Sequence, residues 1–201
     1  MTATSADLLS QALNAQAEPP LRLLPPAVAE LLCSLDAPPR LAAHLRAVHD
    51  VAVELTNWVG ERHPGLAFDC DAVHFGAATH DVGKIRHPGE LTGPGSAHEQ
   101  AGRDLLLDYG FPPDLARFAA THAGWAAPAV TIEDLLVAAA DKVWKDKRVP
   151  VLEERLARTL AGAAGREPWE EFLALDDLLT RIGAAAGGRL AFQSAFPARK
   201  H

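Results

Sequence analysis

Residues 77–84 read Ala-Ala-Thr-His-Asp-Val-Gly-Lys, and they are the most informative stretch of the chain. Apolar residues recur at helical steps up to the histidine, so the pattern predicts a helix over 71–80. Gly83 then favours a turn. The stretch therefore predicts two adjacent metal-capable side chains, His80 and Asp81, at the point where a helix gives way to a turn.

The composition of the whole chain favours helices. Alanine and leucine dominate, β-branched residues are few, and aromatic residues make up only 6% of the 201 residues. A short amphipathic helix and a proline-rich joint are predicted within residues 1–25, and breakers at 82–95 predict a structured loop without regular elements. Further helices are predicted over 27–35, 40–61, 71–80, 96–110, 113–122, 131–145, 150–162 and 167–187.

These elements predict a single all-α helical bundle. We expect an N-terminal helical arm over 1–38, a metal-binding helical domain over 39–190 and a C-terminal tail over 191–201. Two capping-box patterns support helix starts inside the domain: Ser96 with Glu99 three residues later, and Thr131 followed by Asp134 in the same spacing.

Further candidate metal ligands lie on both sides of the doublet. His49 precedes it, and His98, His122 and Asp141 follow, each in a separate predicted helix. A bundle core is a place where such side chains converge. Imidazole nitrogens mixed with carboxylate oxygens suit Fe, Mn, Co, Ni or Zn better than Ca or Mg. Because no cysteine belongs to the set, a structural zinc finger is not indicated, and the set points to metal-assisted hydrolysis.

The order His49, His80-Asp81, Asp141 resembles the HD superfamily of metal-dependent phosphohydrolases. The resemblance covers about residues 40–146, and Val82-Gly83-Lys84 also matches the usual extension of the doublet. It implies an HD-type helical bundle.

The resemblance also implies roles for the ligands. Residues at the positions of His49, His80, Asp81 and Asp141 would bind a first ion. His98 and His122 fill the places that binuclear members add, so two divalent transition-metal ions are implied, with Asp81 bridging them. The Gly-Tyr-Pro extension of cyclic-di-nucleotide phosphodiesterases is absent from the sequence.

Two further stretches point to one subgroup of this superfamily. Residues 84–98, which contain His-Pro-Gly-Glu-Leu at 87–91, and residues 121–125, Thr-His-Ala-Gly-Trp, are similar to the HD phosphatase module associated with bacterial polynucleotide kinases. This implies removal of phosphate from nucleotides or from polynucleotide ends.

Cationic side chains near the ligands are the candidate phosphate binders. Lys84 follows Asp81 by three residues, and these two are the predicted catalytic residues. Lys84, Arg46, His87 and Arg103 are the predicted substrate-binding residues, with Lys142 a weaker candidate. His87 is also a candidate proton donor to the leaving oxygen.

Interpretations without a role in metal or substrate binding remain open for several of these residues. His98 could cap a helix or face water, and His122 could interact with a helix dipole. Lys84 could be a solvated turn lysine, and Arg46 could be a surface or ion-pair residue. The other four histidines are interpreted as surface or packing residues: His44, His63, His74 and His201.

Two other functions compete with phosphate hydrolysis. Some relatives with the same ligand order are di-iron oxygenases, so oxidation of a small polyol or phosphonate is the alternative. A noncatalytic binding module is the third possibility, which the complete ligand set disfavours.

The charge and composition limit the partners. A net charge of −7 disfavours binding of bulk nucleic acid, so a small phosphorylated substrate, a nucleotide or an oligonucleotide end is expected. No signal peptide or membrane-spanning run is recognisable, and we expect a cytoplasmic protein. The oligomeric state is left open.

Overall fold

The computed structural model describes residues 4–198, and within them it contains ten α-helices and no strand. The all-α single-domain prediction is confirmed. His201 and the outermost residues of the predicted arm and tail, 1–3 and 199–201, lie outside the described range. The helices are α1 Ser5–Asn14, α2 Pro26–Ser34, α3 Pro39–Arg62, α4 Cys70–Thr79, α5 Ala97–Asp108, α6 Pro113–Thr121, α7 Ile132–Val143, α8 Pro150–Ala164, α9 Pro168–Ala184 and α10 Ala186–Ser194.

Helix α3 is the central element of the bundle. It begins at a proline, whose fixed φ suits the first helical position, and it contacts α1, α4, α7 and α10. Its buried residues lie on nearly all sides, so it has no solvent face over most of its length. One apolar cluster joins α3 to α4, α7, α8 and α9, and a second joins it to α1, α2, α5 and α6. Among residues 4–198, no helix has the length and apolarity that crossing a bilayer requires.

The N-terminal arm is packed against α3 through one buried arginine. Arg46 is only 3% exposed, and its guanidinium donates to the backbone carbonyls of Ala15 at 2.7 Å, Leu21 at 2.8 Å and Arg22 at 3.1 Å. All of its hydrogen-bond acceptors belong to the arm, and its guanidinium also stacks on the ring of Phe192 at 5.4 Å, so the structure does not bring Arg46 to a place where it could bind substrate as predicted. A buried guanidinium needs several acceptors, and the irregular segment after α1 supplies them.

The turn after α4 is held against α5 by a close backbone contact at Gly83. A Cβ at this position would overlap the carbonyl oxygen of His98 and the backbone of Gly102. Only glycine therefore permits the approach. The loop predicted over 82–95 also contains two single turns of 3₁₀-helix, Val82–Ile85 and Pro88–Leu91, which the density of glycine and proline concealed.

Two local predictions are corrected by tertiary contacts. Ser96 makes no side-chain cap at the start of α5, whereas Thr131 forms the predicted capping box with Asp134. The helix predicted over 167–187 is two helices, α9 and α10, and α10 extends to Ser194, inside the predicted tail. The buried guanidinium of Arg189 donates to the carbonyl of Ile182 at 2.8 Å, which satisfies an end group of α9.

The Arg46 contacts predict a structural role that a substitution can measure. Arg46→Met keeps the length of the side chain but leaves the carbonyls of the arm unpaired, so we expect the free energy of unfolding to fall by about 2–4 kcal/mol. Urea denaturation followed by circular dichroism measures the change. Arg103→Met on α5 is the control, because the Arg103 side chain is 39% exposed. Equal stability of the two variants would contradict this role.

Candidate metal centre

Six buried side chains from five different parts of the chain converge in the core between α3, α4, α5, α6 and α7. Their ligand atoms form two groups, and within each group all of them lie within 4.8 Å of one another. The first group is His44, His80 and Asp141, and the second is Asp81, His98 and His122. Five of the six predicted ligands are therefore brought together.

His49 is the predicted ligand that the structure does not bring to this centre, and His44 occupies the place instead. His44 Nε2 lies 3.4 Å from His80 Nε2 and 3.1 Å from Asp81 Oδ2. Residues five apart on an α-helix point about 140° away from each other, so only one of these two histidines can face the centre. The ring of His49 packs against His74 at 5.8 Å between centroids.

Asp81 lies between the two groups, and each of its oxygens faces one of them. Oδ2 is 3.1 Å from His44 Nε2 and 3.6 Å from His80 Nε2. Oδ1 is 3.0 Å from His98 Nε2 and 3.7 Å from His122 Nε2. Donor atoms that share one transition metal lie about 3.0–3.4 Å apart in octahedral or tetrahedral geometry. The spacing of these six side chains thus suits metal coordination.

The histidine tautomers also suit metal binding. Nδ1 of His80 lies 2.9 Å from the carbonyl oxygen of Ala77, and Nδ1 of His122 lies 3.0 Å from that of Ala119. A carbonyl can only accept, so each Nδ1 carries the hydrogen and the neutral ring presents the lone pair of Nε2 to the centre. Oriented imidazoles of this kind are typical of metal ligands.

Glu90 orients the third histidine and replaces the predicted Ser96 cap. Its carboxylate accepts from the backbone N–H groups of Ala97 at 3.2 Å and His98 at 3.1 Å, and it lies 2.5 Å from His98 Nδ1. One side chain therefore fixes both the start of α5 and the direction of His98 Nε2. The stretch 87–91, singled out for its similarity, contains Glu90, but the sequence did not indicate this role, because Glu90 reaches His98 from the preceding loop.

Neighbouring side chains keep the two buried carboxyl groups of the centre ionised. Burial opposes ionisation of Asp81, yet the charge of His80 and hydrogen bonds from His44 and His98 hold its pKa well below the usual range. Burial likewise opposes ionisation of Asp141, but its interactions with His80 and Lys142 keep its pKa well below the usual range. Both carboxylates are therefore ionised at neutral pH.

The four histidines of the centre form two groups, according to whether their surroundings lower or raise the pKa of the ring. Burial, followed by the charge of His80, lowers the pKa of His122 to about 4, and burial also lowers the pKa of His44. For His80 and His98, burial is outweighed by the carboxylates around them, so their pKa values lie above the ordinary value. Metal binding at this centre therefore competes with protonation of these two rings.

Two lysines reach the carboxylates from the rim. Lys84 Nζ lies 2.5 Å from Asp81 Oδ2, and Lys142 Nζ lies 2.5 Å from Asp141 Oδ2. Each side chain is about a fifth exposed, so each ammonium group borders solvent. Lys145 lies near the same carboxylates: burial lowers its pKa, while Asp141 and Asp81 act to raise it.

In the described part of the chain, the remaining predicted substrate-binding residues, His87 and Arg103, are not bonded to the centre. His87 is half-buried between the two 3₁₀ turns, and Arg103 approaches only Asp104, at 3.9 Å. Within residues 4–198, no side-chain hydrogen bond or ion pair joins either of them to the six converging residues.

The assignment of His44, rather than His49, to the centre can be tested with one variant at each of these two positions on α3. His44→Ala removes a ring from the centre, so we expect affinity for Mn²⁺ or Zn²⁺ to fall at least about tenfold. His49→Ala should leave it within about twofold. Calorimetric titration and metal content after dialysis measure both. Loss of metal in His49→Ala, with retention in His44→Ala, would reverse the assignment.

The role of Glu90 predicts a loss of metal without a loss of fold. Glu90→Gln removes the charge that holds the His98 tautomer, and we expect metal affinity to fall about 10- to 100-fold. Glu99→Gln, in the first turn of the same helix, is the control. Circular dichroism should show equal helix content in both variants, and equal metal affinity would rule out this role.

Comparison with known proteins assigns the family. The model of the HD domain family matches residues 41–144, just over half of the chain, and this range contains all six converging side chains. No significant match was found among curated proteins or solved structures. HD domains bind divalent metals and are typically metal-dependent phosphohydrolases. The chain belongs to the HD domain family.

Proposed function

We propose that this protein is a binuclear metal-dependent phosphohydrolase that removes phosphate from a nucleotide-like compound or a polynucleotide end. The observation that carries the proposal is the position of Asp81. One of its oxygens faces His44 and His80, and the other faces His98 and His122. A carboxylate placed in this way suits a bridge between two cations.

The donor set supports two ions of the transition series. His44, His80 and Asp141, with one oxygen of Asp81, would hold the first, and His98, His122 and the other oxygen of Asp81 would hold the second. Nitrogen-rich sites of this kind suit Fe, Mn, Co, Ni or Zn. When bound, such ions supply Lewis acidity toward phosphoryl oxygens and lower the pKa of water toward neutrality.

The lysines at the rim supply the charge that a phosphate requires. The ammonium groups of Lys84 and Lys142 lie against Asp81 and Asp141 at the edge of the donor set. With cations bound among these donors, the two ammonium groups would be placed to contact phosphate oxygens. Hydrolysis of a phosphomonoester depends mainly on positioning and charge neutralisation, which matches this arrangement.

The substrate class rests on charge and on the resemblance already described. A net charge of −7 repels long polyanions, so only a terminal phosphate is expected to enter the centre. The stretches 84–98 and 121–125 carry the similarity to phosphatase modules of bacterial polynucleotide kinases. Glu90 and His98 lie within the first stretch and His122 within the second, so the similarity falls on residues of the centre.

A substrate screen on metal-loaded protein tests the proposal. Protein reconstituted with Mn²⁺, Co²⁺, Ni²⁺, Fe²⁺ or Zn²⁺ should release inorganic phosphate from an aryl phosphate, from mononucleotides, or from 2′-, 3′- or 5′-phosphorylated oligonucleotides. Asp81→Asn should abolish release. The proposal would be refuted if protein with both ions bound released no phosphate from any of these substrates. It would also be refuted if the iron form consumed oxygen in the presence of a polyol or phosphonate.

Lys84 provides the second prediction for this function. Lys84→Met removes a cation aimed at the phosphate, so we expect kcat/KM to fall about 10- to 100-fold while metal content is retained. Lys147→Met is the control, because Lys147 is exposed beyond the end of α7. Equal kcat/KM in the two variants would show that Lys84 does not act on the phosphate.

A further inference from the structure

A second cavity, separate from the metal centre, opens between the N-terminal arm and the α3–α4 pair. Its volume is about 550 Å³, within the range of small-molecule sites. Apolar side chains of the arm, α4 and α6 form most of its wall, and four polar residues line the rest. These four are His49, Asp69, Asp71 and His74.

The cavity lies on another side of the helices from the metal centre. His74 precedes His80 on α4 by six residues, which corresponds to about 9 Å of rise and about 120° of rotation. On α3, His49 points about 140° away from His44. The same two helices therefore present different histidines to two different places.

His49 is a buried polar group that the protein itself leaves unpaired. The residue is 5% exposed, it lines the cavity, and its Nδ1 has no hydrogen-bond partner within residues 4–198. Burial, followed by the nearby His74 and Arg22, lowers the pKa of His49 to about 4, so the ring is neutral at pH 7. Nδ1 is shielded from the cavity as well as unpaired, so a ligand in the cavity would reach this ring through its other nitrogen, Nε2.

The second histidine also offers a lone pair. His74 Nε2 lies 2.7 Å from Thr56 Oγ1, and that hydroxyl donates to the carbonyl of Val53 at 3.1 Å. With the hydroxyl hydrogen directed to Val53, Nε2 of His74 must donate to Thr56. A neutral His74 then has only Nδ1 left, as an acceptor.

The acidic residues complete an acceptor-rich lining. Asp69 and Asp71 are exposed at the start of α4, where they line the cavity. Arg22, whose charge acts on both histidines, is held by Asp50, whose carboxylate accepts from its guanidinium at 2.7 Å and from its backbone N–H at 3.1 Å. The lining therefore presents hydrogen-bond acceptors and negative charge next to an apolar wall.

We propose that this cavity binds a small organic cation, an amine with an apolar body. The ammonium group would lie toward Asp69 and Asp71, and the apolar body would pack on the wall formed by Leu23, Leu24 and Phe75. A metal ion is a poorer fit, since the groups of metal-capable atoms found within 4.8 Å among the described residues are those of the metal centre.

Benzylammonium is a suitable probe, with benzyl alcohol and benzoate as neutral and anionic controls of similar size. The experiment uses the full chain saturated with Zn²⁺, whose charge in the metal centre repels cations. We expect saturable binding of benzylammonium by calorimetry, at least about fivefold tighter than the alcohol, and no binding of benzoate. Imidazole NMR signals of His49 and His74, assigned with the His49→Gln and His74→Gln variants, should shift.

Charge variants test the mode of binding without changing the fold. Asp69 accepts from the N–H of Ala72 at 2.9 Å, and asparagine caps helices as well as aspartate, so Asp69→Asn preserves the start of α4. Asp69→Asn with Asp71→Asn should weaken benzylammonium binding about fivefold and leave alcohol binding unchanged. The matched control, Glu170→Gln with Asp177→Asn, removes two exposed charges from α9 and should have no effect.

Several outcomes would overturn the proposal: no saturation below about 10 mM, equal binding of benzoate, equal losses in the two double variants, or shifts confined to His80, His98 and His122. The readout is binding, so the result is independent of whether the metal centre hydrolyses phosphate.

Discussion

The burial of the Asp81 carboxylate among four imidazoles is the interaction on which the rest of this structure depends. A carboxylate that is 3% exposed is costly unless other groups compensate its charge. Here the compensation comes from rings on α3, α5 and the ends of α4 and α6, together with Lys84. These elements must therefore meet at one point, and the packing of the bundle around α3 brings them there.

Two local features, at Gly83 and Glu90, fix the geometry with which these elements meet. Gly83 allows the turn after the doublet to touch the backbone of α5, and Glu90 fixes both the first turn of α5 and the ring of His98. Each of them links the backbone to a ligand position. A change at either residue would therefore alter the geometry of the centre without removing any residue that faces it.

The sequence alone predicted the helices and most of the centre, and it failed where only tertiary packing decides. The doublet, His98, His122 and Asp141 were identified because they lie in separate helical segments and match the ligand order of the HD superfamily that the sequence resembles. His44 and His49 could not be distinguished, since α3 is buried on nearly all sides and both histidines have apolar neighbours at helical spacing. Periodicity indicates burial, whereas the direction of each ring depends on which helices pack against α3.

The two histidines of α3 show how one buried helix can serve two kinds of site. His44 faces the carboxylate of Asp81, which offers an oxygen to a metal ion beside the ring. His49 faces the ring of His74, and burial together with His74 and Arg22 disfavours a charge on it. A neutral ring without a partner acts through its lone pair, and the two acidic residues beyond it add a negative field. Two positions five residues apart on α3, His44 and His49, therefore face a centre suited to metal ions and a cavity suited to an organic cation.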